Sequence, residues 1–292
     1  LMPKAQASNT DTLLLYSKYT DQGVKLKIIP QLAQTWLLGA EKGYTITRTE
    51  LGGKKLVLNK KPLLPFTKKE CGVFENGDSL ADFNQTAIYN HIEENKQPMS
   101  AFERIDFVEK LQNDYGFYIL LATRIPEIGK SSGLEFIDNT AEKGKTYFYE
   151  VKISGDNHPS RVGSCYITAE KQAVLLPEID AEGNHHSASL SWLHQGGANP
   201  ILCYFLEKSE DSSNFKRASN PIYYSPEDRF EENHSNTKTK VIYKTDSLSE
   251  NYKPYYYRLT GVDVWSEEHI SNNIARVVGV DRQPPHPVGL LK

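Results

Sequence analysis

A short aromatic motif that occurs twice constrains this chain most. Within Thr146–Ile153 the residues Tyr147, Tyr149 and Val151 alternate with polar ones, and within Pro254–Gly261 the residues Tyr255, Tyr257 and Leu259 do the same. Alternation is the period of a strand with one buried face, so both segments read as strands that turn their tyrosines inward. Tyr147 and Tyr255 lie 108 positions apart, close to the size of one β-sandwich. A chain of 292 residues has room for about two such units, each able to bury its own core.

The segments around the second motif continue the pattern. Ala188, Leu190 and Trp192 alternate with serines, which makes a half-buried strand with Trp192 pointing into the core. After the turn Gln195–Pro200, the run Ile201–Lys208 places Tyr204, Leu206 and Lys208 on a common face. The polar stretch Ser209–Thr239, with Tyr223-Tyr224, reads as a long connection with short edge strands. Val241–Asp246 precedes the tyrosine motif as a strand, and Asn273–Val280 closes the unit.

The first half repeats this order. Gly23–Pro30 corresponds to the Trp192 strand, with Ile28 in the place of the tryptophan, and Tyr44, Ile46 and Arg48 match Tyr204, Leu206 and Lys208. Leu134–Asp138 precedes the tyrosine motif and Gly163–Thr168 follows it. Between Pro62 and Gly133 lies an extra stretch of about 70 residues that is helical in pattern. Ser100 and Glu103 form a capping box. From there Phe102, Ile105, Val108, Leu111, Tyr115 and Ile119 recur every three or four residues and stop before Pro126. A shorter helix is expected from Ser79 to about Glu93. Such helices either cover an open sheet edge or offer a surface to a partner, with Phe102 and Tyr115 as candidate contacts.

Taken together, Ala188-x-Leu190-x-Trp192, Tyr204-x-Leu206-x-Lys208 and Tyr255-x-Tyr257-x-Leu259, with their counterparts in the first half, resemble a fibronectin type III domain over about residues 10 to 280. The resemblance implies a mainly β protein: two immunoglobulin-like antiparallel sandwiches in tandem, the first with an α-helical insertion. It also implies that Tyr147 and Tyr255 make the tyrosine corner, each hydroxyl bonding back to the turn before its strand. Those turns are Glu142–Lys145 and Ser249–Lys253. The first half departs from the family in Ile28 and in the insertion. The expected organisation is a tail over 1–9, a first domain over 10–172 with its insertion at about 66–126, a linker over 173–182, a second domain over 183–281, and a proline-rich run over 282–292 that either leads to a further domain or ends as a tail.

The chain has no Gly-x-Ser-x-Gly elbow, Walker loop, dinucleotide glycine fingerprint or His-Glu-x-x-His metal helix, so a non-enzymatic role without cofactor or metal is expected. His185-His186 are adjacent, so a strand would point them to opposite faces; they read as a surface turn. Asp263, Glu267, Glu268 and His269 form a polar cluster around Trp265, in a loop that sandwich modules use for binding. Trp265 either stacks on a sugar or partner there, or folds back onto the sheet.

A net charge of −3 gives no electrostatic reason to bind nucleic acid. Lysine pairs between Lys54 and Lys69 read as a solvated hairpin rim. No apolar run is long enough to cross a bilayer. Three cysteines, Cys71, Cys165 and Cys203, do not make a disulfide framework and are expected as buried thiols. Ala5-Gln6-Ala7 has the small-x-small pattern of an export cleavage site, or belongs to an ordinary tail. The sequons Asn84-Gln85-Thr86 and Asn233-His234-Ser235 point weakly toward export, as do Asp11-Thr12-Leu13, Asp78-Ser79-Leu80 and Asp246-Ser247-Leu248, which resemble bacterial O-glycan acceptors. The expected role is an extracellular, surface or periplasmic module of a bacterial protein that binds a protein or glycan while spacing other domains. Two other roles are open at this stage: the accessory region of a secreted hydrolase, and a structural subunit of a surface or virion assembly.

Overall fold

A computed structural model describes residues 11–195, 199–223, 231–232 and 238–281. The chain divides into two compact units: the first comprises the chain through Ala173 together with Val264–Ser266, and the second comprises Val174–Asp263 and the chain from Glu267. Ala5-Gln6-Ala7, the sequon at Asn233, Tyr224 and the proline-rich run after Asp281 lie outside the described residues.

The first unit begins with strands β1 (Leu13–Thr20) and β2 (Gly23–Pro30), then helix α1 (Ala33–Lys42), β3 (Tyr44–Glu50) and β4 (Lys55–Val57). The insertion follows: α2 (Lys68–Cys71), α3 (Gly77–Asn84), a π-helical turn at Gln85–Tyr89, α4 (Asn90–Asn95), α5 (Ala101–Arg124) and α6 (Pro126–Ser131). Strands β5 (Glu135–Asp138), β6 (Thr146–Ile153) and β7 (Val162–Thr168) complete it. These strands pair into an antiparallel β1-β2-β5 sheet and an antiparallel β4-β3-β6-β7 sheet. Gly23 is required where β2 starts, because its φ is +119° and a Cβ there would lie 2.1 Å from the Asp138 carbonyl oxygen.

Two features of this unit correct the sequence reading. Helix α1 was not expected, although Ala33, Trp36, Leu37 and Ala40 stand at helical spacing and are all buried. Trp36, 1% exposed, supplies the large aromatic that the strand lacks. Its ring lies 5.6 Å from that of Tyr115 and 5.1 Å from that of Tyr118, while Ile28 fills the strand position. The buried tryptophan of this unit thus stands on a helix. Gly39 of α1 lets Tyr44 pack against the helix backbone, since any Cβ would overlap the Tyr44 hydroxyl.

The second correction concerns the face of α5. Its capping box forms as expected: Ser100 N donates to Glu103 Oε2 at 2.7 Å and Glu103 N donates to Ser100 Oγ at 3.3 Å. The buried apolar residues are Phe107, Leu111, Tyr115, Tyr118 and Ala122, so the predicted stripe is inward at Leu111 and Tyr115 but leaves Phe102 and Ile105 outside. Pro126 ends α5 and opens α6, consistent with a residue that lacks an N–H and suits the first helical turn.

In the second unit the strands are β8 (Asp180–Asn184), β9 (Ser187–Gln195), β10 (Ile201–Ser209), β11 (Lys216–Arg217), β12 (Ile222–Tyr223), β13 (Glu231–Glu232), β14 (Lys238–Ser247), β15 (Pro254–Asp263), β16 (Glu268–Ile270) and β17 (Ala275–Val278). One sheet runs β8-β9-β14-β13; the other runs β11-β10-β15-β16, with β12 on β10 and β17 on β15. Strand β8 begins inside the span read from sequence as linker. Leu190, Trp192, Tyr204, Leu206, Tyr255, Tyr257 and Leu259 form the core.

His194 is buried in this unit with Nδ1 2.8 Å from Tyr204 Oη. Burial, and then the charge of Lys240, pull its imidazole down to about 4. The unfolded chain therefore takes up a proton below about 6.5 that the folded unit refuses, so stability falls with pH between about 6.5 and about 4. The loss reaches roughly 3 kcal/mol by pH 4. Urea titrations at stepped pH should show it, and His194→Phe should flatten the profile in that window; a profile equally steep in the variant would place the proton uptake elsewhere.

One polar network is built twice. Tyr147 Oη accepts from Glu142 N at 3.0 Å, and Tyr255 Oη accepts from Glu250 N at 3.0 Å, tying each late strand to the turn before it. Two residues further along each strand, Tyr149 Oη donates to Asp138 Oδ2 and Tyr257 Oη donates to Asp246 Oδ2, both at 2.7 Å. The same carboxylates accept from Arg48 at 2.6 Å and Lys208 at 2.8 Å. Those cations in turn lie over the rings of Tyr147 and Tyr255, at 4.7 and 4.8 Å. Burial works against the charge on Asp138, yet hydrogen bonds from Thr140, Tyr149 and Arg48 hold its carboxyl below the usual range.

Candidate binding surfaces

The structure brings some of the sequence candidates together and separates others. Asp263 ends β15, Val264 and Trp265 turn, and Glu268 opens β16. The short ladder pairs Gly261 with His269 and Val262 with Glu268. Asp263 is fully buried. Its Oδ1 accepts from Glu267 N at 2.9 Å and its Oδ2 lies 2.9 Å from His269 Nε2. Glu267 and His269 are two residues apart, so they share a side, whereas Glu268 faces the other way. Glu268 pairs instead with Arg217 at 2.5 Å, and that guanidinium stacks on Phe205. Trp265 is half-buried.

Tyr115 is removed from the candidate contacts, because it is buried and its hydroxyl donates to the Pro30 carbonyl. Phe102 is the reverse case at 82% exposed, with Ile105 beside it at 61%. Ile105 and Val108 line an open hollow of about 490 Å³ with Arg104, Glu109, Gln112 and Asn113. Sequence periodicity identified these apolar positions but not their outward direction. A second apolar stripe, Phe107, Leu111, Tyr118 and Ala122, shares Leu111 with the first and faces the core.

Other candidates resolve into structure. His185 Nδ1 lies 2.9 Å from Asn251 Nδ2, His186 Nδ1 lies 3.3 Å from the Leu248 carbonyl, and His186 N donates to Asn251 Oδ1 at 2.9 Å, so both histidines are held in a turn. Cys71 and Cys203 are buried and Cys165 is half-buried, all as free thiols. Burial raises the Cys71 thiol and pushes Cys165 up to about 11, away from thiolate chemistry. Asn84 is fully buried and donates to the Ser131 carbonyl at 3.3 Å, so its sequon is closed to glycosylation in the folded chain. The lysines from Lys54 to Lys69 are exposed, and Lys55 pairs with Glu150 at 2.6 Å.

A mainly β chain of two fibronectin type III-like sandwiches in tandem is what the strand order defines. No family model and no curated protein sequence matches the chain. Among solved structures it is similar to a two-domain fibronectin type III segment of chicken tenascin, at 11% identity over 90% of this chain and 97% of that one, TM-score 0.25. It is also similar to the chicken interferon gamma receptor alpha chain, at 8% identity over 92% and 98%, TM-score 0.28. A β-1,2-glucanase from Parabacteroides distasonis matches 52% of this chain and 17% of its own length at 15% identity, TM-score 0.25. The fold assignment rests on the pairings described above.

Proposed function

We propose that this chain is a non-catalytic, exported binding and spacer module that docks a protein partner on the outward face of α5. The observation that carries the reading is the exposure of Phe102 and Ile105 on a helix that is otherwise anchored in the core of the first unit. Large apolar side chains left adjacent on a rigid element mark interaction surfaces, and an aliphatic-aromatic pair suits a protein more than a sugar. The helical insertion supplies this face, and no helix occurs among the described residues of the second unit. No helix among the described residues is long and apolar enough to cross a membrane.

The test is capture of partners from the native cell envelope with the intact chain and with Phe102→Ser/Ile105→Ser. Both positions are solvent-exposed, so melting should move by less than about 0.5 kcal/mol in stability. A specific protein captured by the intact chain and lost in the variant supports the reading. Equal capture by both, or a glycan retained by both, would move the binding role away from α5.

A further inference from the structure

We propose that Asp263, Glu267 and His269 form a binding site for a divalent transition-metal ion of the Zn²⁺ class. Each residue presents one donor atom, and the three atoms lie within 4.8 Å of one another. A four-coordinate ion with bonds of about 2.0–2.2 Å sets its donors roughly 3.4 Å apart, so the site needs only a small closure. The 2.9 Å separation of Asp263 Oδ2 and His269 Nε2 already brackets that spacing from below.

Position and chemistry agree. Asp263 is held at the end of a ten-residue strand, its Oδ1 fixed by the Glu267 amide, which leaves Oδ2 turned toward the imidazole. His269 is held opposite Gly261 by the ladder, and Glu267 sits at the exposed lip where an ion would enter. The set combines one imidazole nitrogen with two carboxylates. Hard ions such as Mg²⁺ and Ca²⁺ favour all-oxygen ligands, whereas imidazole shifts preference toward Zn²⁺ and its neighbours. Three protein donors leave the fourth position to water. Loading the site requires neutral His269, so the ion replaces whatever proton Nε2 shares with Asp263 and that proton passes to solvent.

Titration of the full chain with ZnCl₂ by calorimetry tests the assignment. His269→Gln and Glu267→Gln are the informative variants, because neither side chain is buried and the fold should survive both. His185→Gln controls for a histidine-carboxylate pair elsewhere in the second unit, His185 with Asp281. The expected result is one equivalent bound by the intact chain, weakened at least about tenfold in each of the two variants and unchanged in the control, with Ca²⁺ binding more weakly than Zn²⁺. The absence of a binding isotherm, its survival in both variants, or its loss in His185→Gln would overturn the proposal.

Discussion

Trp36→Ala is expected to destabilise the first unit by about 3–5 kcal/mol, the range for removing a fully buried tryptophan. The loss is one of packing, because Trp36 Nε1 has no hydrogen-bond partner among the described residues. What disappears is contact with the rings of Tyr115 and Tyr118, and with it the seam where α1 meets α5. A native domain is stable by only about 5–15 kcal/mol, so the change consumes a large part of the margin. Hydrogen exchange resolves it by unit: amides of Leu26, Ile28 and Ile46 should exchange much faster in the variant. Trp36→Phe, which keeps most of the aromatic volume, should recover most of the protection. Unchanged exchange in Trp36→Ala would mean that α1 does not belong to the core.

The second large effect concerns the repeated network. Asp138→Ala removes the partner of Arg48 and Tyr149 from a site where the acid side chain is 2% exposed, and breaking such a buried pair costs about 3–5 kcal/mol. Asp246→Ala breaks the equivalent bonds to Lys208 and Tyr257, but its side chain is 21% exposed and water replaces part of the loss. About 1–3 kcal/mol is expected there. The depressed Asp138 carboxyl also fixes a sign: its contribution is full above the unfolded-state value near 3.9 and is lost as pH falls below it. Chemical denaturation of each variant at pH 7 and pH 3 measures both claims. Equal costs for the two aspartates, or a penalty for Asp138→Ala that persists undiminished at pH 3, would refute the burial argument.

Much of the frame was legible because strand alternation is a local signal. Tyr204, Leu206 and Lys208 and their counterparts Tyr44, Ile46 and Arg48 align in the sequence, and the structure places each set on one strand, β10 or β3. That the aligned cations both reach an aspartate on another strand was not legible, since no local pattern joins Arg48 to Asp138 across 90 residues. Helix α1 was hidden for a different reason. Its stripe Ala33, Trp36, Leu37, Ala40 spans barely two turns and directly follows a strand, so it carries little periodic signal of its own. On α5 two apolar stripes compete within one helix, and only tertiary packing decides between them. The Asp263 cluster was found as a list of polar residues, but its geometry depends on the unexpected strand β16, which sets Glu267 and His269 on one side and Glu268 on the other.

The central claim is that both units are the same sandwich, each pinned by a late-strand tyrosine to its preceding turn. Exchange of the Glu142 and Glu250 amides tests it most directly, with Tyr147→Phe and Tyr255→Phe as the paired perturbations. Both amides should be protected in the intact chain; Tyr147→Phe should release Glu142 alone and Tyr255→Phe should release Glu250 alone, each at about 1 kcal/mol. Free exchange of either amide in the intact chain, or protection that survives loss of its hydroxyl, would contradict the shared frame.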